Sequence, residues 1–149
     1  MNSNEINVLI EKLSWNMPED VQNNAMDLLK NIDDEKIGML VQPIGKPCWE
    51  NAAIVLKKIG YPRIKQVIPK LLEWLQDMNW PGACIILDLL QTIDKKVLVL
   101  FIEDALIKAN IQKDYIWIAG IKLLVDRLSM TQTDFNRKEV YELLELAEW

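Results

Sequence analysis

The chain has 149 residues, half of them hydrophobic and 26% charged, a formal net charge of −5 and no histidine. That is enough for one folded domain with a sizeable core, and the acidic total argues against general nucleic-acid binding, which needs Lys and Arg against phosphates. The missing histidine excludes Ser-His-Asp and Cys-His catalysis within the chain, and mixed Cys/His zinc sites with them.

The apolar spacing is helical nearly throughout. Ile6, Leu9, Ile10 and Leu13 predict a short first helix. Val21, Ala25, Leu28 and Ile32 predict a second, with Asn16 as its N-cap, Glu19 three places on and Pro18 in the first turn. Ile37, Leu40 and Val41 make a short third segment, capped by Asp33 in the run "DDE" and ended near Pro43 and Gly45. A fourth helix, on Ala53, Leu56 and Ile59, begins around Pro47 and is stopped by "GYP", Gly60 to Pro62. The fifth has the clearest pattern: Ile64, Val67, Ile68, Leu71, Leu72, Leu75 and Met78. Pro69 lies inside it, so either the helix kinks there or its regular part begins near Pro69 after a looser first turn. The sixth runs from Trp80 to Ile93, with Asn79 as N-cap, Trp80 and Pro81 in its first turn, and a polar stripe of Asp88, Gln91 and Thr92. The seventh spans Asp94 to Ala109 and the eighth about Asp114 to Leu128. The ninth starts at Asn136, with Glu139 three on, and continues to the C-terminus. No alternating β pattern of any length competes.

Cys48 and Cys84 sit in apolar runs without C-x-x-C spacing and are expected as buried, reduced thiols. The opening "MNSNEINVLIEKL" carries acids where a secretory signal would carry basic residues, and no apolar run reaches the roughly 18 residues of a membrane span. A cytoplasmic protein with no membrane segment is the expectation.

An internal repeat appears at a shift of about 31 residues. "WENAAIVLKKI" from Trp49 lies over "WPGACIILDLL" from Trp80, so that Ala52 meets Ala83, Ile54 meets Ile85 and Leu56 meets Leu87. The same shift sets Val67 on Leu98, Leu71 on Ile102, Leu75 on Leu106 and Asn79 on Asn110. Each unit would be two antiparallel helices, which bury their apolar faces by stacking. Small residues such as Ala53, Ala83, Ala119 and Gly120 would let neighbouring helices approach closely. The fold expected is all-α, a short α-solenoid of about four antiparallel helix pairs in a single domain over residues 1–149.

The stretch "IGYPRIKQVIPKLLEWLQDMNWPGA" resembles a bacterial family of HEAT-like repeat domains of unknown function, whose hallmark is a helix ending "LLEWLQDMNWP" and then a small residue. "DYIWIAGIKLLV" resembles that family's next first-helix segment. The resemblance covers roughly Leu40 to Trp149. It implies a HEAT-like superhelix with a family-like core over 43–149 and an additional N-terminal repeat over 1–42. It implies no activity. Gly82 stands where a larger apolar residue is expected.

Few residues suggest chemistry. Glu73 and Asp77 are four apart and would share one helix face, as a carboxylate pair or as ordinary solvated residues. Trp80, repeating Trp49, is expected as a wedge between repeats whose truncation to alanine costs about 3–5 kcal/mol. Trp74 is the tryptophan expected at the surface. With Lys70, Glu73 and Asp77 it forms the candidate binding surface. Lys57, Lys58, Arg63 and Lys65 form an alternative basic patch. HEAT-like DNA glycosylases are similar in architecture and use a basic concave face, tryptophans and an Asp, for which Asp88 could stand. No catalytic residue, metal site or cofactor is expected. The primary expectation is a non-enzymatic module that binds a protein partner, such as a bacterial adaptor or an immunity protein blocking a toxin. The alternative is nucleic-acid binding through Lys57 to Lys70, and a carboxylate enzyme around Glu73, Asp77 or Asp88 ranks last.

Overall fold

The computed structural model describes all 149 residues and is all-helical, with no strand. Eight α-helices follow one another: α1 (Ser3–Glu11), α2 (Glu19–Leu29), α3 (Trp49–Ile59), α4 (Ile68–Glu73), α5 (Ala83–Gln91), α6 (Lys95–Ile111), α7 (Tyr115–Arg127) and α8 (Lys138–Tyr141). Short 3-10 segments lie between them. The chain divides into two compact units, one of Met1–Val67 with Asn79–Leu89 and one of Ile68–Met78 with Leu90–Trp149. No helix is long and apolar enough to cross a membrane.

In the first unit, Asn2 caps α1 by accepting the Glu5 N–H at 2.9 Å, and Ile6, Leu9 and Ile10 are buried. Both α1 and α3 pack on α2. Asn51 of α3, itself buried, donates to the Leu13 carbonyl at 2.7 Å and to Gln22 Oε1 at 2.8 Å, which ties three segments together. Asn16 is not the cap of α2: the helix starts at Glu19 and Pro18 holds the cap position. A residue before proline is pushed out of the helical region, so the chain turns at Ser14–Met17 instead. The buried stripe of α2 runs through Ala25 and Leu29, while Leu28 is exposed. The segment Asp34–Leu40 winds as a 3-10 helix with Asp33 at its cap position, although the Asp33 side chain makes no capping bond. α3 follows a 3-10 turn at Lys46–Cys48 and stops at Gly60, whose φ of +69° suits glycine alone.

α5 begins at Ala83, three residues later than the pattern predicts, so Asn79 is not its cap. The reason is Gly82, at φ +85°, which interrupts a right-handed helix. Glycine, where a larger apolar residue was expected, is therefore a conformational requirement at this position. Cys84 is exposed, not buried, because it shares the outer stripe of α5 with Asp88 and Gln91 at helical spacing. Trp49 and Trp80 are half-buried and meet edge to face, ring centres 5.6 Å apart.

The second unit is built on α6, against which α4 and α7 pack. Pro69 is accommodated by the second of the two predicted routes: a 3-10 turn at Lys65–Val67 precedes a regular α4. α4 ends at Glu73, followed by a 3-10 turn at Trp74–Gln76 and an extended Asp77. α7 packs on that turn. A Cβ on Gly120 would sit 2.1 Å from the Leu75 carbonyl oxygen, so the α7 backbone rests directly on the Leu75 peptide. Trp74, next to Leu75, has 0% exposure; it is not a surface residue. Trp117 is also buried, and its indole N–H donates to the Leu72 carbonyl at 2.9 Å, in the last turn of α4 where helix carbonyls lack an intrahelical partner.

Asp94 caps α6 and Asp114 caps α7, accepting the Lys96 and Trp117 N–H groups at 2.8 and 3.0 Å. The C-terminal helix is shorter than predicted: α8 covers Lys138–Tyr141 and continues as a 3-10 segment, Glu142–Leu146. Asn136 does not cap it. The fully buried carboxylate of Glu103 on α6 instead accepts the Arg137 backbone N–H at 2.7 Å, and the Arg137 guanidinium pairs with Glu103 and Asp104.

Candidate functional site

The expected surface of Lys70, Glu73, Trp74 and Asp77 is not a single face. Lys70 is exposed, Glu73 and Asp77 are half-buried and Trp74 is in the core. Glu73 is the last residue of α4 and Asp77 is extended, with φ −145° and ψ +106°, so the i,i+4 relation of a continuous helix is lost. The two carboxylates therefore do not form a helical pair. No three residues among Cys, Asp and Glu gather to hold a metal ion.

Glu73 instead borders a notch of about 130 Å³ in the second unit. Pro69 and Glu73 come from α4, Phe101, Asp104, Ala105 and Lys108 from α6, and Trp117 from α7. The spacing of Phe101, Asp104, Ala105 and Lys108 places all four on one face of α6. Lys108 Nζ lies 2.6 Å from Glu73 Oε1, closing one side with an ion pair. Asp104 pairs with Arg137 at 3.0 Å on the rim. The centre is apolar, made by Pro69, Phe101, Ala105 and Trp117. Of these residues the sequence pattern singles out only Glu73 as a site candidate. The signal it holds for the others is that Phe101 and Ala105 flank the α6 stripe without being its centre.

The basic patch is depleted by one member. Arg63 donates through Nε to Asp34 Oδ1 at 2.7 Å, through Nη1 to the Lys30 carbonyl at 3.1 Å, and through Nη2 to the Ile32 carbonyl. It holds the end of α2 to the segment after α3. Lys57, Lys58 and Lys65 are exposed. Lys57 and Lys58 border a shallow groove with Ile54 and Ile85 between them. Asp27 has its carboxyl held below the ordinary value, first by Lys30 and more weakly by Lys58, so an acid adjoins the patch. Burial, helped by the charge of Glu11, pushes the Cys48 thiol up, away from the thiolate form.

Residues 49–148 match the model of a family described as a domain of unknown function, DUF5071. The chain belongs to the DUF5071 family. No curated protein and no solved structure matches it. The notch lies wholly inside the DUF5071 segment, as do Lys57, Lys58, Lys65 and Lys70. α1, α2 and the Asp34–Leu40 segment precede it.

Proposed function

We propose that this DUF5071 chain is a non-enzymatic module that binds a protein partner, and that the notch bordered by Glu73 and Lys108 receives one aliphatic side chain of that partner. The size of the notch carries the reading. Small-molecule and cofactor pockets run from about 300 to about 1,000 Å³. At about 130 Å³ this one suits a single side chain instead. An apolar centre with a charged rim is the anatomy of a protein interface. A short HEAT-like solenoid is the architecture proposed with it. Its support is burial repeating at the 31-residue shift: Ala52 and Ala83, Leu56 and Leu87, Leu71 and Ile102, and Leu75 and Leu106 are all buried. A cytoplasmic adaptor or an immunity protein that blocks a toxin fits this reading. The nucleic-acid alternative has less support, since Arg63 is committed to main-chain carbonyls and Asp34.

The test is a charge exchange. Glu73→Lys with Lys108→Glu retains an ion pair but reverses the rim. Tagged wild-type chain should capture a partner from host lysate and cross-link to it through residues beside the notch. The exchanged variant, with an unchanged circular dichroism spectrum, should lose that partner. No captured partner, or equal capture by both chains, would overturn the proposal.

A further inference from the structure

The first unit carries an apolar patch ahead of the DUF5071 segment, where α1 lies against α2. Met1, Glu5, Val8, Leu9 and, from α2, Leu28 line one shallow depression. Met1 and Val8 are each 51% exposed and Leu28 is 43% exposed, so three large apolar side chains meet water at one place. Scattered apolar residues at a surface need no explanation, whereas a contiguous group marks a contact site.

The exposed half of α1 is divided. Glu5, Val8 and Lys12 follow one another at helical spacing along the side that adjoins Leu28. Lys12 is the C-cap and keeps a helical backbone, so the stripe continues through it. Asn4, Asn7 and Glu11 occupy the other side. The stripe thus sets an apolar centre between one charge of each sign. Neither Glu5 nor Lys12 has an ion-pair partner within the chain.

The placement of these charges selects a partner. Glu5 and Lys12 lie about 10.5 Å apart along the helix axis, and their midpoint falls between Val8 and Leu9. A second α1, laid antiparallel across that midpoint by a two-fold axis, sets its Lys12 on Glu5 and its Glu5 on Lys12. Val8 and Leu9 of the two copies then meet in the middle. Net charge does not oppose the pairing. Glu5 and Lys12 cancel, and on α2 Asp27 pairs with Lys30 at 2.7 Å on either side of Leu28. The patch is therefore neutral within a stretch, residues 1–42, that holds eight acids against three bases.

We infer that this patch pairs with the same patch of a second copy, so that the chain forms a two-fold dimer through α1. A partner of a single charge sign would gain from one end of the stripe and be opposed by the other; a second copy matches both ends. The inference is independent of the notch, since the two share no residue.

Sedimentation equilibrium of the full chain at low salt tests it, at about 100 μM, where a micromolar dimer is largely paired. The wild type should sediment as a dimer. Glu5→Lys sets lysine against lysine at both ends of the stripe, and Lys12→Glu sets glutamate against glutamate. Each variant alone should dimerise about tenfold or more weakly. Mixed in equal amounts, the two variants should recover a dimer containing one of each, a gain that a misfolded variant cannot produce. Val8→Asp should be monomeric with an unchanged circular dichroism spectrum. A monomeric wild type would overturn the inference and assign the patch to a different protein. Single variants that dimerise as the wild type does, or a mixture that pairs no better than its components, would overturn it as well.

Discussion

The tryptophans show how side chains with one pattern in the sequence take different roles. Trp117 and Trp74 are both in the core, yet only Trp117 sits on an unbroken helical stripe. Trp74 lies on the flank of its stripe, and the turn that carries it packs on α7, some forty positions further along the chain. Spacing within a segment cannot register a neighbour of that kind. Trp49 and Trp80 were paired by the 31-residue shift, and they meet each other directly. Since both are only half-buried, Trp80→Ala should cost less than the 3–5 kcal/mol or so of a full core truncation. A double-mutant cycle with Trp49→Leu and Trp80→Leu, read by urea unfolding, should give a coupling of about 0.5–1.5 kcal/mol for the edge-to-face contact. Additive losses would show that the two rings act separately.

At the level of elements, the existence of helices was legible and several of their starts were not. Asp94 and Asp114, where the pattern starts the seventh and eighth helices, cap α6 and α7, because nothing follows them to disturb the first turn. Asn16, Asn79 and Asn136 fail for three local or distant reasons: a following Met17–Pro18, a left-handed Gly82, and a carboxylate supplied by α6. The close approach at Gly120 is the most demanding element contact. Gly120→Ala should lower stability by about 3 kcal/mol or more, since the obstructing atoms are backbone. Gly38→Ala, where the nearest atom to the new Cβ is 3.8 Å away, should leave the urea midpoint almost unchanged. Equal midpoints for the two variants would refute the packing of α7 on Leu75.

The turn at Gln132–Asp134 adds a pH dependence. The Thr131 backbone N–H, and then Lys95, hold the Asp134 carboxyl below the ordinary carboxylate value. An unfolded chain lacks both, so its Asp134 takes up a proton first as the pH falls. The contribution is therefore complete above about pH 4 and is lost as the pH drops through the folded-state value. Asp134→Asn should flatten the acid limb of stability in urea midpoints taken from about pH 5 to about pH 2. An acid limb as steep as in the wild type would count against the capping box.

For the molecule as a whole, the charge is divided along the chain. Residues 1–42 hold eight acids and three bases, a net of −5, which is the net of all 149 residues. Subtracting from totals of 22 and 17 leaves 14 acids and 14 bases over residues 43–149. The whole DUF5071 segment thus lies in an electroneutral stretch, and the lysines of the basic patch are matched by acids elsewhere in that stretch. This much was legible in the sequence. The notch was not, because its walls come from three helices between Pro69 and Trp117 and no single stretch contains it. Charge balance leads to one more expectation. Non-specific DNA binders reach dissociation constants of about 10⁻⁴ to 10⁻⁶ M at physiological salt. This chain should show no retardation of a DNA duplex at any concentration up to about 100 μM under those conditions. Salt-dependent binding that disappears when Lys57, Lys58 and Lys65 are changed together to glutamate would reverse that expectation. It would mean that the three lysines left exposed beside the committed Arg63 suffice for phosphate contact despite the acids around them.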